Sequence, residues 1–178
     1  MIKAILCVAG TVALAMAADP KFTAAGELQF PKDYREWIFL SSGLGMTYGP
    51  AAAPEGDPRF DNVFVNPSAY RSFLVSGRWP DNTIFVLEVR KSQSEGSINK
   101  GGHFQTGTAA VEVHVKDEKR FPGGWAFFGF GRDKQTAKQI PTSASCYSCH
   151  SQHGAVDTTF VQFYPTLIEI AKANKTFR

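Results

Sequence analysis

Cysteine, charge of one sign and internal repetition are all scarce in this chain, and each scarcity excludes something. Only three of 178 residues are cysteine: Cys7, Cys146 and Cys149. Cys7 lies in a run from Ala4 to Met16 that is apolar or small throughout. Met1-Ile2-Lys3 supplies a basic start and Ala15-Met16-Ala17 a small-residue cleavage pattern. This is the layout of a secretory signal peptide over residues 1–17, too short for a membrane span of about 20 residues. A lipid-anchored cysteine is the rival reading of Cys7, but Leu6 stands where a small residue is expected and the position is early. Cleavage after Ala17 leaves a single domain, residues 18–178, long enough to bury a real core, and only two cysteines. A zinc ribbon needs a second ligand pair, which is missing. The net charge of +3 becomes +2 when Lys3 is lost, and no basic patch of nucleic-acid size remains.

The two remaining cysteines stand in Cys146-Tyr147-Ser148-Cys149-His150. C-x-x-C-H is the spacing that attaches one c-type haem. Two thiols add across the two vinyl groups of a porphyrin, and the next residue presents an imidazole to the iron. A redox dithiol would instead open a helix within a βαβ unit, whereas this motif follows Pro141-Thr142-Ser143-Ala144-Ser145. Motif, secretion and cysteine count agree on one covalently bound haem c, held through two thioethers at Cys146 and Cys149 with His150 as iron ligand. Both thiols are then used, so no structural disulfide is possible. Phenylalanine, at 15 residues, is abundant enough to wall a haem pocket.

In chain order, Pro31 to Leu40 reads as a short helix or a helix running into a strand. Residues 43–54 read as loop. Arg59 to Asn66 reads as a strand ended by Asn66-Pro67, and Ser68 to Ser76 as a helix. Thr83 to Arg90 is the clearest strand: Phe85, Leu87 and Val89 share one face, and Ile84, Val86, Glu88 and Arg90 the other. A polar loop spans Lys91 to Gly102. Thr108 to Lys116 alternates strictly, with Ala109, Val111, Val113 and Val115 facing in and Glu112, His114 and Lys116 facing out. Trp125 to Phe130 is a third, aromatic strand, and Val156 to Lys172 a helix capped by Asp157 and interrupted near Pro165. The fold class is α+β, a mostly antiparallel sheet with flanking helices and the haem motif between the last strand and the last helix. Small electron-transfer cytochromes c carry the motif near the N-terminus and a methionine far downstream. Here 28 residues follow His150 and none is methionine. Four-helix cytochromes c′ are excluded by the three β-patterned segments.

Few residues can hold the other face of the iron. Met46 lies in a glycine-rich loop, His114 on a polar strand face, and His153 too close to His150 to cross to the distal side. His103, in Gly101-Gly102-His103-Phe104, is the one histidine not dismissed. The pattern favours five-coordinate iron with an open position, which binds a small gas or performs chemistry.

Several stretches, in order along the chain, resemble the cytochrome P-460 and cytochrome c′-beta family: Pro31 to Trp37, Val63 to Tyr70, Val115-Lys116-Asp117 to Arg120-Phe121, Trp125-Ala126-Phe127, Pro141-Thr142, the C-x-x-C-H motif and Phe163-Tyr164-Pro165. The resemblance implies a mostly antiparallel β fold, a homodimer and a periplasmic mono-haem protein. Cytochromes P-460 cross-link a lysine to the porphyrin and oxidise hydroxylamine; cytochromes c′-beta lack the cross-link and bind nitric oxide and carbon monoxide in an apolar, phenylalanine-capped pocket. Leu87 stands where the cross-linking members carry lysine, and Asp61 best matches a position where they carry arginine. Lys91 and Lys100, the nearest lysines, read as solvated.

Three functions compete. In a gas-binding protein, Phe85 and Leu87 on one strand face and Phe60 from the neighbouring strand would wall the distal side of the haem. Such a pocket, without hydrogen-bond donors, favours nitric oxide and carbon monoxide over dioxygen. A hydroxylamine oxidoreductase needs a base, for which Glu88 or Asp61 are the nearby carboxylates, although strand parity turns Glu88 away. An electron carrier serving a redox partner protein needs a protein sixth ligand. The first reading places the chain among periplasmic gas-binding haem proteins, with no nucleic acid and no membrane span involved.

Overall fold

The structure is a computed structural model that describes residues 19–48, 56–131 and 135–178. The expected signal peptide, residues 1–17, and residues 49–54 of the expected loop lie outside the described residues. Ten named elements follow the chain: β1 (Leu28–Gln29), β2 (Ile38–Leu44), β3 (Phe60–Val65), α1 (Pro67–Ser76), β4 (Ile84–Gln93), β5 (Phe104–Lys116), β6 (Trp125–Phe130), β7 (Thr136–Ala137), α2 (Ser145–His153) and α3 (Pro165–Ala173). Strands β2 to β6 pair in sequence order, all antiparallel, in one five-stranded sheet; β1 and β7 form a separate two-stranded one. The mixed, mostly β architecture is thus as the alternation implied. Among the described residues no helix is long and apolar enough to cross a membrane.

Register fixes the two faces of the sheet. Val65, Phe85, His114 and Phe127 form one cross-strand row, and Val63, Leu87, Glu112 and Gly129 the next row on the same face. Phe64, Val86, Val113 and Phe128 form a row on the opposite face. That opposite face carries one core cluster, with Ile84, Val86, Val111, Val113, Val115 and Phe128 covered by Leu28, Tyr34 and Trp37 from the N-terminal segment. The first face carries the second cluster, where Phe85 and Trp125 pack with Trp79, Val161, Tyr164 and Leu167. The centre of the sheet is thus covered on both sides. The alternation of Thr108 to Lys116 is therefore correct, but the outward reading of His114 is not: it is buried, at 7 % exposure.

Other boundaries move for local reasons. Strand β4 continues to Gln93 and β5 begins at Phe104, lengthening the hairpin into what read as loop. A register shift between Val89 and Arg90 leaves Ala109 without a partner on β4. The last helix starts at Pro165, whose fixed φ suits a first turn. Asp157 does not cap it, because its φ of 51° is left-handed and no helix follows directly.

Glu88, buried on the face away from Phe85 and Leu87, accepts hydrogen bonds from the Tyr34 hydroxyl (2.7 Å), Asn62 Nδ2 (3.3 Å) and Arg90 (3.4 Å), and pairs with Arg35. Burial, then the Glu88 carboxylate, pushes the Tyr34 phenol up to about 12. A phenol that resists ionisation only when folded stabilises the protein below its ordinary pKa near 10 and loses that contribution as pH rises towards 12. Urea midpoints of the wild type should therefore fall between pH 10 and about 12 more steeply than those of Tyr34→Phe; parallel profiles would show that this hydrogen bond is not made.

Candidate functional site

Helix α2 places its chemistry on one side. Cys146, Cys149 and His150 are spaced i, i+3 and i+4, so their side chains project together. No βαβ unit surrounds the motif, because the main sheet is wholly antiparallel. Tyr147 anchors the helix to β6: its hydroxyl donates to the Ile140 carbonyl at 3.0 Å and accepts the Phe127 amide at 3.3 Å. Both thiols are free and half-buried.

The His150 ring is held from behind. Its Nδ1–H donates to the Thr158 carbonyl at 2.7 Å, which assigns the tautomer and leaves the Nε2 lone pair for a metal. Burial pulls the imidazole pKa down, and the Thr158 carbonyl opposes this only in part, so the ring is neutral, as a ligand must be. Phe160, Phe127 and His114 surround it at ring-centroid distances of 4.3, 4.6 and 5.1 Å. The loop that carries Thr158 turns back sharply after α2. A Cβ at Gly154 would lie 2.8 Å from the His150 carbonyl oxygen and from backbone atoms of Thr158 and Thr159, so this close crossing requires glycine. Trp79 pins the same loop by donating Nε1–H to Thr159 Oγ1 at 2.9 Å.

In front of His150 lies a cavity of about 440 Å³, within the range of cofactor sites. Cys146, Cys149 and His150 line one side of it, and Phe85 and Leu87 line the sheet wall. Phe60 does not line it. Asp61 and Val63 do, and strand period 2 turns Phe60 to the opposite face. Glu88 is likewise on the opposite face, as parity implied. The wall is not simply apolar. Asp61, Glu112 and His114 line it beside Leu87 and Val63, with Ser41 and Tyr48 also present. Burial raises the pKa of both Asp61 and Glu112, and Asp61 adds to the rise at Glu112. A carboxyl with a raised pKa carries a proton to higher pH and can then donate, so the cavity holds potential donors. His114 is buried, stacked on Phe127 at 3.9 Å, and its Nε2 has no hydrogen-bond partner.

The other ligand candidates separate. His103 sits 3.6 Å from Asp57, away from the cavity lining, and His153 is exposed at the end of α2. Met46 lines the cavity and packs over Gly43, where a Cβ would lie 2.3 Å from its sulfur. Among the described residues no cluster of three or more His, Cys, Asp or Glu side chains forms a separate metal site.

The sequence profile of the family described as Cytochrome P460 matches residues 31–161. The chain belongs to the cytochrome P460 family. A search of curated proteins finds no match. Membership makes this a haem protein, and the residues present fit that group: paired thiols, a neutral imidazole with one free nitrogen, aromatic walls and an unpartnered buried His114 Nε2 meet at one cavity. Of the residues lining this P460-family pocket, Glu112, His114 and Met46 were not foreseen as such; only the β4–β5 register, which no local motif encodes, puts Glu112 beside Leu87.

Asp61 provides a test of the cavity electrostatics. A carboxyl whose folded pKa is raised destabilises the fold above that pKa and does so not at all below its unfolded value near 3.9. Asp61→Asn should therefore raise the urea midpoint at pH 7, with the gain vanishing as pH falls below the ordinary carboxylate range. A gain that persists at acid pH, or none at neutral pH, would contradict the burial of this charge.

Proposed function

We propose that the protein is a secreted, periplasmic mono-haem cytochrome c that binds nitric oxide or carbon monoxide at an open iron position. The haem would be attached through thioethers at Cys146 and Cys149 and ligated by His150. The observation that carries this reading is the composition of the cavity wall: Leu87 stands at the cross-link position, and among the described residues neither lysine nor arginine lines it. A leucine side chain has no nucleophile with which to join a porphyrin. When bound, the haem supplies the iron that takes up the gas; the chain's residues hold, orient and screen it. Thr158 fixes the His150 ring, Phe127 and Phe160 pack against it, and Phe85, Leu87 and Val63 form the apolar part of the wall, beside Asp61 and Glu112.

A second reading, hydroxylamine oxidation, is favoured by one specific observation. Asp61 and Glu112 share the cavity, and their raised pKa values bring a proton acceptor closer to neutrality. This replaces Glu88 as the base such an enzyme would use.

One set of measurements separates the two. The intact mass should equal residues 18–178 plus one haem, with no hydrogens lost to a third link, and ferrous protein should bind nitric oxide and carbon monoxide. Hydroxylamine turnover with an added electron acceptor should be slight, and Glu112→Gln should leave gas binding in place. Brisk turnover abolished by Glu112→Gln would establish the enzyme instead.

A further inference from the structure

A second pocket, about 380 Å³, opens on the far side of the loop that holds His150. Two separate segments bring three cations to it: Arg78 just after α1, and Lys175 and Arg178 from the segment after α3. The assembly is rigid where these segments meet. Thr176 donates its hydroxyl to the Gly77 carbonyl at 2.7 Å, and the Arg178 amide donates to the Ala155 carbonyl at 2.8 Å. A Cβ at Gly77 would lie 2.7 Å from the Asn174 side chain, so the chain end packs directly on the end of α1. Neither the Arg78 nor the Lys175 side chain has an ion-pair partner among the described residues. The acid lining the pocket, Asp157, lies 3.6 Å from Lys116, which also pairs with Glu118 at 3.2 Å. Three cationic side chains against one acid leave the lining net positive, and an anion relieves that excess. Hydroxyls complete the lining. Ser151, Thr158 and Thr176 face it, and Thr158 Oγ1 is buried without a hydrogen-bond partner.

We propose that this pocket binds a small oxyanion, and that its occupancy is transmitted to His150 through the loop between them. Guanidinium, ammonium and hydroxyl groups suit an anion with several acceptor oxygens and suit chloride poorly. The concave shape and the buried Thr158 hydroxyl favour a free ion over the flat contact of an acidic protein partner. The path is two adjacent carbonyls. That of Asp157 accepts from the Arg178 guanidinium on the pocket side, and that of Thr158 accepts from His150 Nδ1–H on the cavity side. An anion that draws on Arg178 and Thr158 shifts the support of the imidazole. The binding claim stands apart from the haem reading; the transmission claim rests on His150 as iron ligand.

The test titrates inorganic phosphate into the haem-loaded protein by calorimetry at low ionic strength, against chloride at matched ionic strength. Phosphate should bind saturably at one site, and R78Q with K175G, both exposed and the second at a left-handed φ of 57°, should weaken it about tenfold or more. Phosphate heats no larger than chloride heats, or variants that bind as the wild type does, would overturn the site. On phosphate saturation the iron–histidine stretch in the resonance Raman spectrum should shift in the wild type but not in the double variant. Saturable binding with a stationary band would overturn the transmission alone, and absence of any such band would fault the ligation by His150 while leaving the calorimetric result intact.

Discussion

The hydrogen bond from His150 Nδ1 to the Thr158 carbonyl is the constraint on which the rest of the site depends. A carbonyl can reach back to α2 only if the chain reverses at once, and that reversal demands Gly154, where backbone approaches leave no room for a Cβ. The loop cannot then continue as helix. Residues 154–160 stay irregular, Asp157 takes a left-handed conformation, and α3 waits until Pro165. The same loop is held by Trp79 through Thr159 and by the Arg178 amide through Ala155, so distant parts of the chain converge on the orientation of one imidazole. An imidazole fixed in this way would meet a metal with its tautomer chosen and little rotational freedom left to lose.

The sheet supplies the opposite wall by parity alone. Each strand sends alternate residues to two faces, one packed under the N-terminal segment and the other under α2 and α3, with the cavity between. Of the polar residues on the cavity face, His114 is buried, Asp61 half-buried and Glu112 still exposed at the cavity mouth. Asp61, Glu112 and His114 are carried to this face by the same alternation that brings Phe85 and Leu87. On the other face Glu88 is neutralised by Arg35 and Arg90 and satisfied by Tyr34 and Asn62, which keeps a buried charge tolerable without giving it access to the cavity.

Much of this was legible in the sequence where chemistry demands a fixed local spacing. Cys146, Cys149 and His150 declare themselves in five residues, and β-period patterning located β3, β4 and β6 to within a few residues. Leu87 and Phe85 were assigned to one face by counting along a single strand, and they line one wall. The failures share a cause, which is that alternation reveals two faces without revealing what covers them. His114 between Glu112 and Lys116 looks solvated until α2 is laid across it, and Phe60 looks available until its parity is compared with that of Asp61. The expected helix from Val156 failed because apolar residues can serve a tight loop as well as a helix when a buried hydrogen bond must be reached. Nothing local marks Met46 as a cavity residue; its place follows from a contact with Gly43 three positions earlier.

The central claim is that His150 holds the iron from one side and that no protein atom holds it from the other. Among the described lining residues, Met46 and His114, whose Nε2 has no hydrogen-bond partner, carry donor atoms that could contradict it. The most direct measurement is the absorption and resonance Raman spectrum of the ferrous, ligand-free protein. The account predicts five-coordinate, high-spin iron with an iron–histidine stretch and a Soret band in the ordinary range for haem c. A six-coordinate, low-spin spectrum that becomes high-spin in Met46→Ala would contradict it, and so would a strongly red-shifted Soret band in the wild type.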